Sequence, residues 1–371
     1  MTGRPPSPTA LAAELPRTLE LLERQRGELH LGGQLYASVD GDPVADLAFG
    51  EIRPGEPMRR DALMLWLSSG KPVTAVAIAR LWERGRLDLD DPVALHVPEF
   101  GVRGKSGITV RHLLTHTAGI RTLDVGWPGS SWAEILQRIC ELKLEPRWRP
   151  GRTAGYHLTS SWFVLGEILQ RLTGESFAEH VRRTIFEPLG MTECWIGMPE
   201  ATYEEMASGI APMYDVSRGP ASPHDWTGAP RLTRASPGAN GVGPLRQLAR
   251  LYEMLLGGGE RGGVRLLSRQ TVEALTVRHR VGLYDKTFRQ KLDWGLGFVL
   301  DSGHYGEEMP AYGYGEHAST RTFGHSGYRS STAFADPEVG LVVALAVHGT
   351  PEAAAHRRRF HDLTTAIYED L

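Results

Sequence analysis

Ser68 and Lys71 stand three residues apart in the stretch LSSGKPVTA, residues 67–75. On a helix, side chains at that spacing share a face. An amine held among apolar neighbours loses hydration, which disfavours its ammonium form. A neutral amine beside a hydroxyl is a general base next to a nucleophile. The chemistry this pair could perform is acyl transfer through a serine ester. A serine at a helix start is also the commonest N-cap, so the surroundings decide. The residues that follow (Val73, Ala75, Val76, Ala77, Ile78, Ala79, Leu81, Trp82) are apolar nearly all round, the pattern of a buried helix. Pro72 is tolerated only in a first turn, so that helix starts close to Ser68. A purely structural helix start gains nothing from a half-buried lysine.

The elements that must position this pair follow from periodicity and punctuation. Residues 8–29 read as a helix, and 32–50 as two strands around an Asp-Gly turn. From 72 to about 195 helical patterns dominate: the segments beginning at Val73, Thr109, Ser131, Ser160 and Ser176, several of them stopped by glycine. Residues 215–240 are rich in Pro, Gly, Ser and Arg and carry no period, which predicts a long loop able to serve as a lid. A helix returns at 245–259. Strands resume at 293–300, a hairpin spans 330–349 around Asp336-Pro337, and a helix closes the chain from 351. Strands at both ends with helices between predict an α/β domain, residues 1–72 and 235–371, carrying an inserted helical domain, 73–234.

Composition excludes several classes. The chain has 371 residues, is 41% hydrophobic and 23% charged, and has a net charge of −3, which gives no electrostatic grip on nucleic acid or an anionic membrane surface. Only five of its 41 basic residues are lysines, so each lysine is a scarce residue. Cys140 and Cys194 are too few for a disulfide framework and read as buried thiols. No signal peptide or membrane span is visible, which predicts a cytoplasmic protein. His112 and His116 have a metal-like spacing, but no glutamate follows His112, so they read as structural and no metal or cofactor is expected.

The chain resembles the serine hydrolases of the class C β-lactamase type, a group that includes penicillin-binding DD-peptidases, family VIII esterases and some amide transacylases. The segments that carry the resemblance appear in the family's order: SSGKPVTAVAIARLWERGRLDLDDPVALHVPEF, ITVRHLLTHTAGI, FEPLGMTECWIG, LRQLARLYEMLLGGG and FGHSGYRSSTAFADPEVGLVVAL. The resemblance implies a central antiparallel sheet flanked by helices, with the site against a mostly helical domain. It implies Ser68 as nucleophile, Lys71 as base, and a tyrosine that shuttles protons with Lys71. Tyr156 is the first choice for that tyrosine, with His157 the alternative in an ungapped match. Leu158 stands where the family's motif has asparagine, which argues against peptidyl and penicillin-like substrates. His325-Ser326-Gly327 matches the His-x-Gly of the esterase-like branch. There Gly327 would let substrate approach the backbone, and the Tyr328 and Ser68 N–H groups would form the oxyanion hole. The expected activity is acyl transfer from a small-molecule ester or amide, either to water, as an esterase or amidase, or to an amine acceptor, as in transacylation during antibiotic biosynthesis. A DD-peptidase or β-lactamase, and a catalytically inactive binding homologue, are the alternatives.

Overall fold

The computed structural model describes residues 15–121, 124–306 and 309–371. Residues 8–14 of the expected first helix lie outside this set. Its remainder is a helix over Pro16–Gln25 (α1).

The centre is a seven-stranded sheet. Its strands are Gly32–Val39 (β1), Asp42–Arg53 (β2), Glu56–Pro57 (β3), Val299–Leu300 (β6), Phe323–Gly327 (β7), Ser331–Asp336 (β8) and Leu341–Val347 (β9). They lie in the order β6-β7-β8-β9-β1-β2-β3, every neighbour antiparallel. The two ends of the chain meet in the middle of this sheet, where Leu35 pairs with Leu345. Strand β9 reads LVVALAV with no polar alternation because both of its faces are covered. Val343, Leu345 and Val347 pack toward the two terminal helices, α1 and Ala353–Asp370 (α6). Val342, Ala344 and Ala346 face the opposite core, which includes Leu248 and Leu251 of the helix Leu245–Leu256 (α5). At the ends of the chain, Asp370 accepts from both the backbone and the hydroxyl of Thr18.

The helical stretch is as expected in kind and shorter in places. Helices span Lys71–Glu83 (α2), Trp132–Glu141 (α3) and Ser160–Thr173 (α4). The segment from Thr109 forms only Val110–Leu114, because the backbone turns to positive φ at His116. Residues 215–240 are not wholly irregular: they hold a short strand at Ser222–Pro223 and a helical turn at Ala229–Thr233. Both cysteines are free and buried. No described helix is long and apolar enough to cross a membrane.

Strand β7 presses onto the segment that leads into α2. A Cβ added at Gly327 would stand 2.2 Å from Ser331 Oγ and 2.5 Å from the Trp66 carbonyl oxygen. The expected role for Gly327, room for substrate, is thus corrected: the space is filled by protein atoms. Gly327→Ala should lower the unfolding free energy by about 1–3 kcal/mol, the range for overpacking. Gly107→Ala, where a Cβ would meet nothing within 4 Å, should stay within about 0.5 kcal/mol. Urea denaturation measures both, and equal losses would contradict this packing.

Candidate active site

Ser68 sits at the end of a strained connection. Strand Met64–Leu67 (β4) pairs antiparallel with Gly241–Gly243 (β5). The Trp66 indole donates to the Gly243 carbonyl at 2.9 Å, and the Trp66 carbonyl accepts from the Ser331 hydroxyl at 2.7 Å. Held from both sides, Leu67 adopts φ 51°, ψ −131°, a region that side-chain-bearing residues enter only when their surroundings impose it. The 3-10 turn Ser68–Gly70 follows, and α2 begins at Lys71 with Pro72 in its first turn. Ser69 is fully buried, its hydroxyl 3.0 Å from that of Ser331. Ser68 instead opens into a cavity of about 340 Å³.

Lys71 is completely enclosed. Its Nζ lies 3.0 Å from Ser68 Oγ, 3.0 Å from the Leu158 carbonyl oxygen and 2.6 Å from the Gly238 carbonyl oxygen. Among the described residues no carboxylate offsets its charge, and burial pushes its pKa well below the ordinary lysine value. A neutral amine has two N–H donors and one lone pair. Two carbonyls, which can only accept, engage the two donors, and the lone pair is left for the Ser68 hydroxyl proton. The arrangement can therefore take a proton from Ser68 without first losing one to solvent.

Tyr156 faces this pair. Lys71 Nζ is 5.3 Å from the centre of the Tyr156 ring. The Tyr156 hydroxyl is buried and, among the described residues, has no hydrogen-bond partner of sound geometry; the Ser68 and Tyr312 hydroxyls are its polar neighbours. Burial pushes its pKa well above the ordinary value, so it is a neutral phenol, able to donate as well as accept. His157 turns elsewhere. Its Nε2 accepts the backbone N–H groups of Gly119 and Ile120, each at 3.0 Å, and burial lowers its pKa to about 3. The ring is a neutral support for that loop, with its proton on Nδ1, and the alternative alignment that put His157 at the site is corrected.

His325 also departs from expectation. It is fully buried, its Nδ1 is 2.8 Å from the Ser326 carbonyl oxygen, and its ring packs 5.2 Å from Tyr312 and 5.9 Å from Tyr156. It lies beneath the reacting groups and does not line the cavity. Tyr328 does line it, together with Ser68, and is 48% exposed. His112 and His116 each serve a backbone group: His112 Nδ1 accepts from Thr109, and His116 Nδ1 from His157.

The cavity wall is mainly apolar: Leu65, Leu67, Val125, Trp127, Leu158 and Trp226. The 215–240 segment supplies Trp226, Arg231, Ala239 and Asn240 to it. Asn240 is buried, accepting from Ser236 and donating to the carbonyls of Arg231 and Arg234, which fixes the segment's return. Trp127 donates to the Arg234 carbonyl at 3.0 Å, joining the opposite wall to it. Four features escaped the sequence reading: the carbonyls of Leu158 and Gly238, which carry no side-chain signal, and the rings of Tyr312 and Trp127. For Trp127 the only available cue was an aromatic in a Gly/Pro-rich loop.

Lys71 gives a pH signature in stability. The unfolded lysine binds a proton below about 10.4, whereas the folded one, its pKa depressed, does not until lower pH. Between the two values the unfolded state holds more protons, so stability rises with pH. Lys71→Met lacks this term. The melting temperature of wild type relative to Lys71→Met should therefore climb from pH 6 to pH 10; a flat difference would show that Lys71 is charged in the folded protein.

Comparison with known proteins identifies the family and the fold. The Beta-lactamase family profile matches residues 19–366. The esterase/beta-lactamase LipL of Mycobacterium tuberculosis is 31% identical over 344 residues, 85% of this chain and 76% of the relative. Esterase EstB of Burkholderia gladioli is 28% identical over 78% of each chain. Among solved structures, a penicillin-binding protein homologue from Caulobacter crescentus superposes with a TM-score of 0.80 at 29% identity, covering 100% of this chain and 99% of the other. A family VIII carboxylesterase gives 0.79 at 25% identity, covering 96% and 98%. The chain belongs to the Beta-lactamase family and is an enzyme of its serine-hydrolase and acyl-transfer type.

Proposed function

We propose that this protein transfers the acyl group of a small apolar ester through a Ser68 acyl-enzyme. The observation that carries the reading is Lys71: enclosed, with no carboxylate partner among the described residues, its Nζ within 3.0 Å of two backbone carbonyl oxygens and of Ser68 Oγ. Lys71 takes the Ser68 proton as Oγ bonds to the ester carbonyl carbon. The carbonyl electrons move onto oxygen, where the Ser68 and Tyr328 N–H groups stabilise the negative charge. Tyr156 passes the proton from Lys71 to the departing alkoxide, the carbonyl re-forms, and an acyl-enzyme remains. Deacylation runs the same path with a new nucleophile, whose proton returns through Tyr156 and Lys71 to Ser68. Leu158 in place of an amide side chain, the apolar wall, and a relative named as an esterase support an ester over a peptide or penicillin-like substrate.

The acceptor reading is that the acyl-enzyme passes to an amine as readily as to water, as a biosynthetic amide-forming step requires. The walls from 124–127 and 226–240 support it, since aminolysis needs water kept out and an acceptor held near the carbonyl.

Two experiments test these statements. A fluorophosphonate should add once, to Ser68, as read by intact mass and peptide mapping. Lys71→Arg, which keeps charge but supplies no neutral amine, should lose about 10³-fold or more in acylation rate; labelling at Ser69 or near-normal turnover by Lys71→Arg contradicts the mechanism. Second, a p-nitrophenyl ester offered with primary amines should yield amide in rising proportion to amine concentration. Product that stays entirely acid for every amine makes the protein a plain esterase.

A further inference from the structure

A buried ion pair lies behind Tyr156 and takes no part in the steps above. Arg280 Nη2 donates to Asp285 Oδ2 at 2.7 Å, and the two side chains are 1% and 0% exposed. Burying two charges costs several kcal/mol per ion, and well-packed apolar residues in their place are often as stable. Stability alone therefore gives no reason for the pair. Its partners do.

Asp285 Oδ1 accepts three backbone N–H groups, from Tyr156 at 3.2 Å, Thr287 at 2.8 Å and Phe288 at 3.0 Å. The Thr287 hydroxyl donates to the Tyr156 carbonyl at 3.2 Å, and the Lys286 N–H to the Ala154 carbonyl at 3.0 Å. The turn that Asp285 organises thus grips Tyr156 at both its backbone N–H and its carbonyl. Arg280 extends the grip: Nη1 donates to the Thr115 carbonyl at 3.3 Å. The next residue, His116, packs its ring 4.6 Å from that of Tyr156. Phe288 packs at 5.0 Å from the other loop. The Tyr156 hydroxyl meets only the Ser68 and Tyr312 hydroxyls, and neither is a hydrogen bond of sound geometry among the described residues, so its aim comes mainly from its backbone and from the rings around it. Both are fixed by segments tied to the ion pair. An asparagine at 285 could still accept the three N–H groups on its oxygen, but it would then turn an NH₂ toward the Arg280 guanidinium.

We propose that Asp285 and Arg280 form a positioning pair that aims Tyr156 at Ser68 and Lys71. The inference rests on the proton-shuttle reading of Tyr156 given above. A double-mutant cycle in the full-length protein tests it: wild type, Asp285→Asn, Tyr156→Phe and the double variant, assayed for kcat and KM on a p-nitrophenyl ester. Asp285→Asn should lower kcat by about 10- to 100-fold, the cost of a small misplacement, with KM changed less than about threefold. In the Tyr156→Phe background the same substitution should cost less than about threefold further, because there is no hydroxyl left to aim. Losses that multiply would overturn the proposal and make the pair a structural element only. Thr287→Val removes the contact on the Tyr156 carbonyl and, with it, the hydrogen bond accepted from Arg121 Nη1; run through the same cycle, it decides the matter if Asp285→Asn does not fold. An unchanged kcat for Tyr156→Phe alone would overturn the shuttle reading itself, and is told apart from failure of the positioning claim by that single arm.

Discussion

Everything at this site depends on a lysine that has no carboxylate partner among the described residues. A surface lysine holds its proton tightly because water solvates the ammonium. Lys71 has exchanged that water for three oxygens, two of them carbonyls. Carbonyl dipoles solvate an ammonium less well than bulk water does, so the base is poised by removing solvation and not by adding a neighbouring charge. The same design explains why the two carbonyls come from distant parts of the chain. Leu158 precedes α4 and Gly238 closes the 215–240 segment. The base is complete only when the helical stretch, that segment and the start of α2 are all in place.

The second constraint is steric. The turn at Leu67 and Ser68 is held in an unfavourable backbone region by Trp66, whose indole and carbonyl are both engaged. Close packing maintains it. A Cβ at Gly241 would fall 2.5 Å from the Trp66 ring, so a glycine there lets β5 lie against the indole. A cluster of small residues is thus what allows a strained turn to persist on a packed sheet edge.

Much of this was legible in the sequence, and the limits were physical. Ser68 and Lys71 were readable because a scarce lysine interrupts an apolar helix and Pro72 marks where that helix starts. The terminal hairpins were readable from their turn residues. The choice between Tyr156 and His157 was not, because both are ring side chains at adjacent positions, and only the backbone direction shows that His157 reaches Gly119 and Ile120. His325 was assigned to the substrate side from its motif, whereas strand alternation and aromatic packing place it beneath. Carbonyl oxygens of Leu158 and Gly238 are invisible to any reading of side chains. Asp285 and Arg280 stand in an unremarkable polar run, and their significance comes entirely from tertiary contact.

The pairing of β1 with β9 has a temporal consequence. Leu35 meets Leu345, some 300 residues later in the chain, so the middle of the sheet cannot close while the ribosome still holds the C-terminal segment. Ser331, which clamps the Trp66 carbonyl, belongs to that late-made segment. During synthesis the stretch around Ser68 exists without the contacts that bend it, and such non-local assembly is slow compared with helix formation. A nascent or truncated chain therefore carries the serine and the lysine without the geometry that joins them. The geometry is complete only once β8 and β9 have joined the sheet.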